Sequence, residues 1–253
     1  MMTATEREVL VKVPALTLGF WVIKILATTL GETGGDAVSM SMNLGYLVGT
    51  GIFMALFVAA VYLQIRETAF SPWLYWMTII ASTTVGTTLA DFATRSIGIG
   101  YSGGSALLLV ILLGSLYWWH RDLGRIDVSS ISSRKAEIYY WMTIMSSQTL
   151  GTALGDWSAD TAGLGYLGAA AIFGSLLAVV LVLHLMKRGS TTVLFWVAFV
   201  LTRPLGAVVG DFLDKPVAQG GLELSRFGAT AVLLAAIVLL VLVLPQRAAE
   251  HSH

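Results

Sequence analysis

Four aspartates, Asp36, Asp91, Asp156 and Asp211, recur at separations of 55, 65 and 55 residues in a chain of 253. Carboxylates are hard oxygen donors and proton carriers, so a held cluster of them suits Mg²⁺, Ca²⁺ or Mn²⁺ rather than soft metals. Counting back from each aspartate in steps of four stays on one face of a helix. The first copy then gives Glu32, Thr28 and Lys24, and the second gives Thr87, Thr83 and Ile79. The third gives Thr152, Gln148 and Ile144, and the fourth gives Ala207, Arg203 and Phe199. The candidate ion-binding set is therefore Glu32, Asp36, Asp91, Asp156 and Asp211, joined by the side-chain oxygens of Thr28, Thr83, Thr87, Gln148 and Thr152. The five carboxylates are the candidate metal ligands. Arg203 and Lys24 are candidate counter-charges or coupling groups.

Each of these features also has a plainer reading. The aspartates can mark solvated helix ends, and an Arg203–Glu32 pair can simply lock two helices together. Thr29, Thr84 and Thr149 lie one position off the column, where a threonine bonds to its own helix backbone. Histidine adds nothing, because His120 and His184 lie at helix ends and His251 and His253 close the chain. The chain has no cysteine, which excludes disulfides and thiolate metal sites. There is no phosphate-binding glycine loop, no Ser-His-Asp candidate and no HExxH. The expectation is a non-enzyme with no cofactor beyond a transported cation, and no nucleic-acid partner.

The elements that carry these residues are apolar helices. Only 12% of residues are charged and 56% are hydrophobic, against about 25% charged in soluble domains. Asn43 to Leu63 and Phe227 to Leu244 run uncharged for 21 and 18 residues, and about 20 apolar residues span a bilayer as a helix. The aspartates belong to a frame, W-x9-G-x4-D-x8-G, that begins at Trp21, Trp76, Trp141 and Trp196. Each unit reads as a helical hairpin. The expected class is an all-α polytopic membrane protein forming a single domain, with eight transmembrane helices as four parallel hairpin repeats.

Repeat limits fall near 12–66, 70–120, 136–188 and 190–245. Helices are expected over 14–35, 43–65, 72–91, 99–119, 138–156, 163–186, 191–211 and 225–244, with a polar linker at 120–137. Gly31 and Gly35, Gly151 and Gly155, and Gly206 and Gly210 form GxxxG pairs, which let helices approach closely in lipid. A central bundle of the odd helices follows, with the leucine- and valine-rich even helices outside. The tryptophans read as interface anchors, and so do Tyr46, Tyr101 and Tyr166. Pro204 reads as a kink that frees a carbonyl in the seventh helix.

Lysines and arginines set the orientation. Ten lie on the side of the termini and three, Arg95, Lys215 and Arg226, on the other. The termini are therefore expected in the cytoplasm, with the first helix as insertion signal. The four aspartates, Glu32, Asp160, Asp214 and Glu223 then form an acidic outer vestibule.

"KVPALTLGFWVIKILATTLGETGGDAVSMSMNLGYLVGT" and its echo "YYWMTIMSSQTLGTALGDWSADTAGLGYLG" resemble a bacterial family of repeat-containing integral membrane proteins, labelled uncharacterised membrane-anchored proteins. The resemblance covers nearly the whole chain and implies a multi-pass protein of the bacterial inner membrane. It brings no activity with it.

From the residues, the expected function is a small secondary transporter for an inorganic cation, a divalent metal such as manganese, coupled to protons. The alternatives are an ion channel, a non-transporting scaffold or sensor, and an anion carrier using Arg203 and Lys24. The expected partners are the bilayer, the ion and other copies of the chain.

Overall fold

The computed structural model describes residues 12–126 and 133–249. Among them are eight long helices: α1 (Leu18–Asp36), α2 (Gly45–Arg66), α3 (Pro72–Asp91), α4 (Gly100–Leu123), α5 (Arg134–Asp156), α6 (Gly165–Leu185), α7 (Thr191–Asp214) and α8 (Arg226–Val243). The Thr17, Ser133 and Ser225 side chains cap α1, α5 and α8 by accepting from backbone N–H groups. This satisfies donors that a helix start leaves orphaned.

The local chemistry corrects several expected limits. The expected linker at 120–137 is shorter. Its first four residues belong to α4, which ends at the left-handed Gly124, and its last four belong to α5, which the Ser133 cap starts early. Residues 127–132 of that linker lie outside the described residues, as do Arg7, His251 and His253. Helix α7 continues through Pro204 to Asp214.

The last glycine of the repeated frame has a conformational cause. In the first three repeats the odd helix passes into a five-residue π-helical turn, Ala37–Ser41, Phe92–Ser96 or Trp157–Thr161. The next helix then starts at Gly45, Gly100 or Gly165, with φ of 76°, 70° and 64°, the left-handed region that glycine enters without strain. The fourth repeat departs from this. A short 3₁₀ turn, Val217–Gln219, ends at Gly220, and α8 begins only at Arg226.

The odd helices close a ring, in which α1 packs against α3, α3 against α5, α5 against α7 and α7 against α1. Each even helix lies not on its own partner but on the odd helix of the next repeat: α2 on α3, α4 on α5, α6 on α7 and α8 on α1. The ring is held by glycine seams. The residue eight before each aspartate sits on the glycine five before the aspartate of the preceding helix. Thus Thr83 packs on Gly31, Gln148 on Gly86, Arg203 on Gly151 and Thr28 on Gly206. One turn along, Thr87 packs on Gly35, Ala207 on Gly155 and Glu32 on Gly210.

Five helices, α2, α4, α6, α7 and α8, are long and apolar enough to cross a membrane. Helices α1, α3 and α5 fall short because each spends its inward face on hydroxyls, an amide or charges. The outer helices leave Leu47, Val110, Val182 and Val232 exposed, the side chains that acyl chains would cover.

At the end where Val13 and Ala249 lie, the ring axis is filled. Phe20, Tyr75, Tyr140 and Phe195 are buried, as are Trp76, Trp141 and Trp196. They form an edge-to-face collar in which the Tyr75 and Tyr140 hydroxyls are 2.8 Å apart. This corrects the expectation of interface anchors: Trp76 and Trp141 are each 2% exposed and pack the core. Below the collar the segment before α1 pairs with the segment after α8. Ala15 N–H donates to the Arg247 carbonyl and Ala249 N–H to Val13, each at 2.9 Å. The Trp76 indole donates to Gln246 Oε1 at 3.1 Å.

These seams allow a direct test. A Cβ at Gly206 would lie 2.8 Å from the Thr28 backbone, so Gly206→Ala should cost roughly 1–3 kcal/mol by overpacking and lower the thermal midpoint in detergent. Gly114→Ala and Gly174→Ala, with nothing within 4 Å of the added carbon, should not lower it. Three equal midpoints would show that the ring is not held there.

Candidate functional site

The polar columns of the four odd helices all lie inside the ring, stacked in layers. Asp36, Asp91, Asp156 and Asp211 form the first layer, none more than 3% exposed. Glu32, Thr87, Thr152 and Ala207 lie beneath them, followed by Thr28, Thr83, Gln148 and Arg203. Lys24, Ile79, Ile144 and Phe199, each 0% exposed, complete the column above the aromatic collar.

Arg203 reaches across from α7 to two other helices. One terminal nitrogen donates to Glu32 Oε2 at 3.0 Å, to Thr87 Oγ1 at 2.5 Å and to the Thr83 carbonyl at 3.3 Å. The other donates to the Thr28 carbonyl at 3.4 Å. Thr87 Oγ1 lies 3.2 Å from Glu32 Oε2 and 3.1 Å from the Gly31 carbonyl. Two threonines of the same layer tie the ring by donating to the preceding helix, Thr28 to the Thr202 carbonyl at 3.1 Å and Thr83 to the Ala27 carbonyl at 3.2 Å. Thr29, Thr84 and Thr149 instead donate to their own helices, to Ile25, Ile80 and Met145.

The aspartate layer divides into two clamped pairs. Arg95 holds Asp91 at 2.9 Å and approaches Asp156 at 3.5 Å. Lys215 bonds Asp36 and lies 3.0 Å from Asp211. Arg226 donates to Asp214 at 2.8 Å. Sequence reasoning counted these three bases only as charges of the outer face. A sharper signal was present, because Arg95 and Lys215 each follow an aspartate of the frame by four residues, one helical turn. The tyrosines attend the same layer. The Tyr46 hydroxyl accepts from Arg95 at 3.3 Å, and Arg95 lies 5.8 Å from the Tyr101 ring.

The two halves of the layer differ underneath. Glu32, Asp36 and Asp211 each bring a carboxylate oxygen within 4.8 Å of the others, all three residues buried. They form a three-carboxylate cluster between Lys215 on one side and Arg203 on the other. The Asp91–Asp156 half has Thr152 in place of Glu32. Of the expected set, then, Glu32, Asp36 and Asp211 converge in one cluster, Asp91 and Asp156 belong to the Arg95 clamp, and Thr87 links to Glu32.

Two residues of the set stand apart. Gln148 makes no hydrogen bond through either amide atom among the described residues, although it is 0% exposed. Lys24, expected as a counter-charge or coupling group, makes no ion pair among the described residues. Its Nζ has no hydrogen-bond partner among the described residues and lies 4.1 Å from the centre of the Phe199 ring, a cation–π contact.

The class these features define is an all-helical repeat protein, with several apolar helices of membrane-spanning length around a charged axis. The chain belongs to the family described as Repeat of Unknown Function (DUF347), whose model matches residues 19–69, 74–122, 139–190 and 194–247. The resemblance read from the sequence, to an uncharacterised repeat-containing family, agrees with this. No curated protein and no solved structure matches the chain.

Removing one partner of a buried ion pair leaves an uncompensated charge, at about 3–5 kcal/mol. Arg203→Met should therefore destabilise the protein strongly in denaturant unfolding, and Glu32→Gln/Arg203→Met should recover most of the loss. A double variant as unstable as the single one would remove the ion pair from the account.

Proposed function

We propose that this protein is a small secondary transporter of the bacterial inner membrane, carrying an inorganic cation of the divalent class to which Mn²⁺ belongs. All eight helices cross the bilayer in this reading, with both termini in the cytoplasm. The observation that carries the reading is the buried cluster of Glu32, Asp36 and Asp211 with its two built-in cations.

The chemistry supports an exchange. Three carboxylates offer hard oxygen ligands of the kind such ions take. In the substrate-free state a charge cluster of this size needs neutralising, because each central charge costs at least about 2.5–3.5 kcal/mol on insertion scales. Lys215 and Arg203 supply that neutralisation as tethered surrogates. An arriving cation takes the carboxylates from Lys215, and the ammonium turns toward Asp214, 3.9 Å away. Protons compete for the same oxygens, which supplies a coupling ion.

A carrier fits better than an open channel. The axis beneath the cluster is filled by Ile79, Ile144 and Phe199 and then by the aromatic collar. Passage needs the ring to rearrange, which means parting side chains such as Thr28 and Arg203 from the glycines they pack on.

The test is Mn²⁺ uptake into proteoliposomes. The wild-type protein should transport, and Glu32→Gln and Asp36→Asn, each keeping shape while removing charge, should lower the initial rate at least about tenfold (~1.4 kcal/mol). Transport at the wild-type rate by both variants would dismiss this cluster as the site.

A further inference from the structure

We propose that the lateral groove between α6, α7 and α1 is a binding site for an anionic phospholipid of the leaflet on the side of the termini. The groove encloses about 240 Å³ and is walled by Trp21, Ile25, Leu177, Leu181, Leu194 and Phe195. Its length is apolar and suits an acyl chain. Its polar residues are His184 and Thr191 toward the chain-terminal end and Thr202 toward the bundle centre.

The charge at its mouth selects the headgroup. The loop joining the two walls, Met186–Ser190, carries Lys187 and Arg188 and no acid, and both bases are exposed. The α1 wall begins at Leu16, next to Ala15, which is bonded to the exposed Arg247. Basic residues therefore flank an acyl-sized groove from both sides. Basic pockets between membrane helices on the cytoplasmic side bind anionic headgroups, and each base near the surface adds to that attraction.

The repeat architecture supplies an internal control. A second groove, of about 340 Å³, lies between α2 and α5. Its Phe57, Val58 and Val61 correspond to Leu177, Ala178 and Leu181 at a shift of 120 residues, and its Ile138, Trp141 and Met145 to Leu18, Trp21 and Ile25. The α6 and α1 walls of the first groove are thus repeated by α2 and α5, while the α7 wall has no counterpart in the second, and Glu67 and Thr68 stand where the first groove has Lys187 and Arg188. Of the two grooves, the first is the one whose joining loop carries two bases and no acid, and selectivity for an anionic lipid is assigned to it on that ground. The proposal depends on the chain being membrane-embedded and not on the transport reading.

Native mass spectrometry of the full chain, released from detergent after incubation with phosphatidylglycerol or phosphatidylcholine, tests it. One phosphatidylglycerol should be retained under activation that strips phosphatidylcholine. Lys187→Ala/Arg188→Ala, two exposed loop positions, should lower that retention about tenfold. Leu181→Trp, which fills the groove without touching its charges, should lower it as well. Arg66→Ala beside the second groove should not change it, and inorganic phosphate should fail to displace the lipid. Equal retention of the two lipids, undiminished retention in the loop variant or in Leu181→Trp, loss in Arg66→Ala, or displacement by phosphate would each overturn the proposal.

Discussion

Where Gly206 meets Thr28, helices α7 and α1 have no room for a side chain on the glycine. The same encounter recurs at Gly31, Gly86 and Gly151 around the ring. This close approach decides the rest of the architecture. It brings the backbones near enough for Thr28 and Thr83 to donate to carbonyls of the neighbouring helix. It turns the polar column of every odd helix toward the axis. It also leaves the outer face of each odd helix free for an even helix from the preceding repeat. Association in lipid has no hydrophobic driving force between helices, so a protein of this kind depends on such packing and on the polar contacts it permits.

Much of this was legible in the sequence because the packing constraint acts on residue type. A glycine at a seam and a polar residue one turn away leave a fixed spacing, and four copies in register make it readable. The pairing of Arg203 with Glu32 was accessible on the same basis, since two buried charges of opposite sign on adjacent polar stripes have few other places to go. What escaped was relational. Hydropathy marks an even helix as outward-facing but carries nothing about which odd helix it covers, so the one-repeat offset could not be seen. A tryptophan at a helix start has the same signature whether it anchors an interface or fills a collar, and Trp76 and Trp141 do the second. Lys24 has the quadrupole of the Phe199 ring beside it, and a ring announces itself in sequence only as another apolar residue.

The ring is four-fold in its glycines and two-fold in its charges. Repeats two and four each supply a base one turn beyond the aspartate, Arg95 and Lys215, and each base reaches forward to the aspartate of the following repeat. The chain then breaks even this symmetry by placing Glu32 and Arg203 beneath one pair only. Two half-sites with common ancestry of form thus differ in charge, hydrogen bonding and degree of enclosure. Such asymmetry is how a repeated scaffold comes to have one distinguished site, because a substitution in one repeat alters one quadrant and leaves the seams intact.

The pairing of Glu32 with Arg203 also bears on how the molecule is made. The two residues are separated by 171 positions in the chain, and at bacterial or eukaryotic synthesis rates that interval is roughly 10–30 s. Throughout it α1 exists with its buried acid unmatched and with its outer face uncovered, since α8, which covers that face, emerges later still. Of the eight described helices α1 is thus among the last to be completed, and the nascent chain must keep it in a polar-tolerant environment until the ring closes behind it.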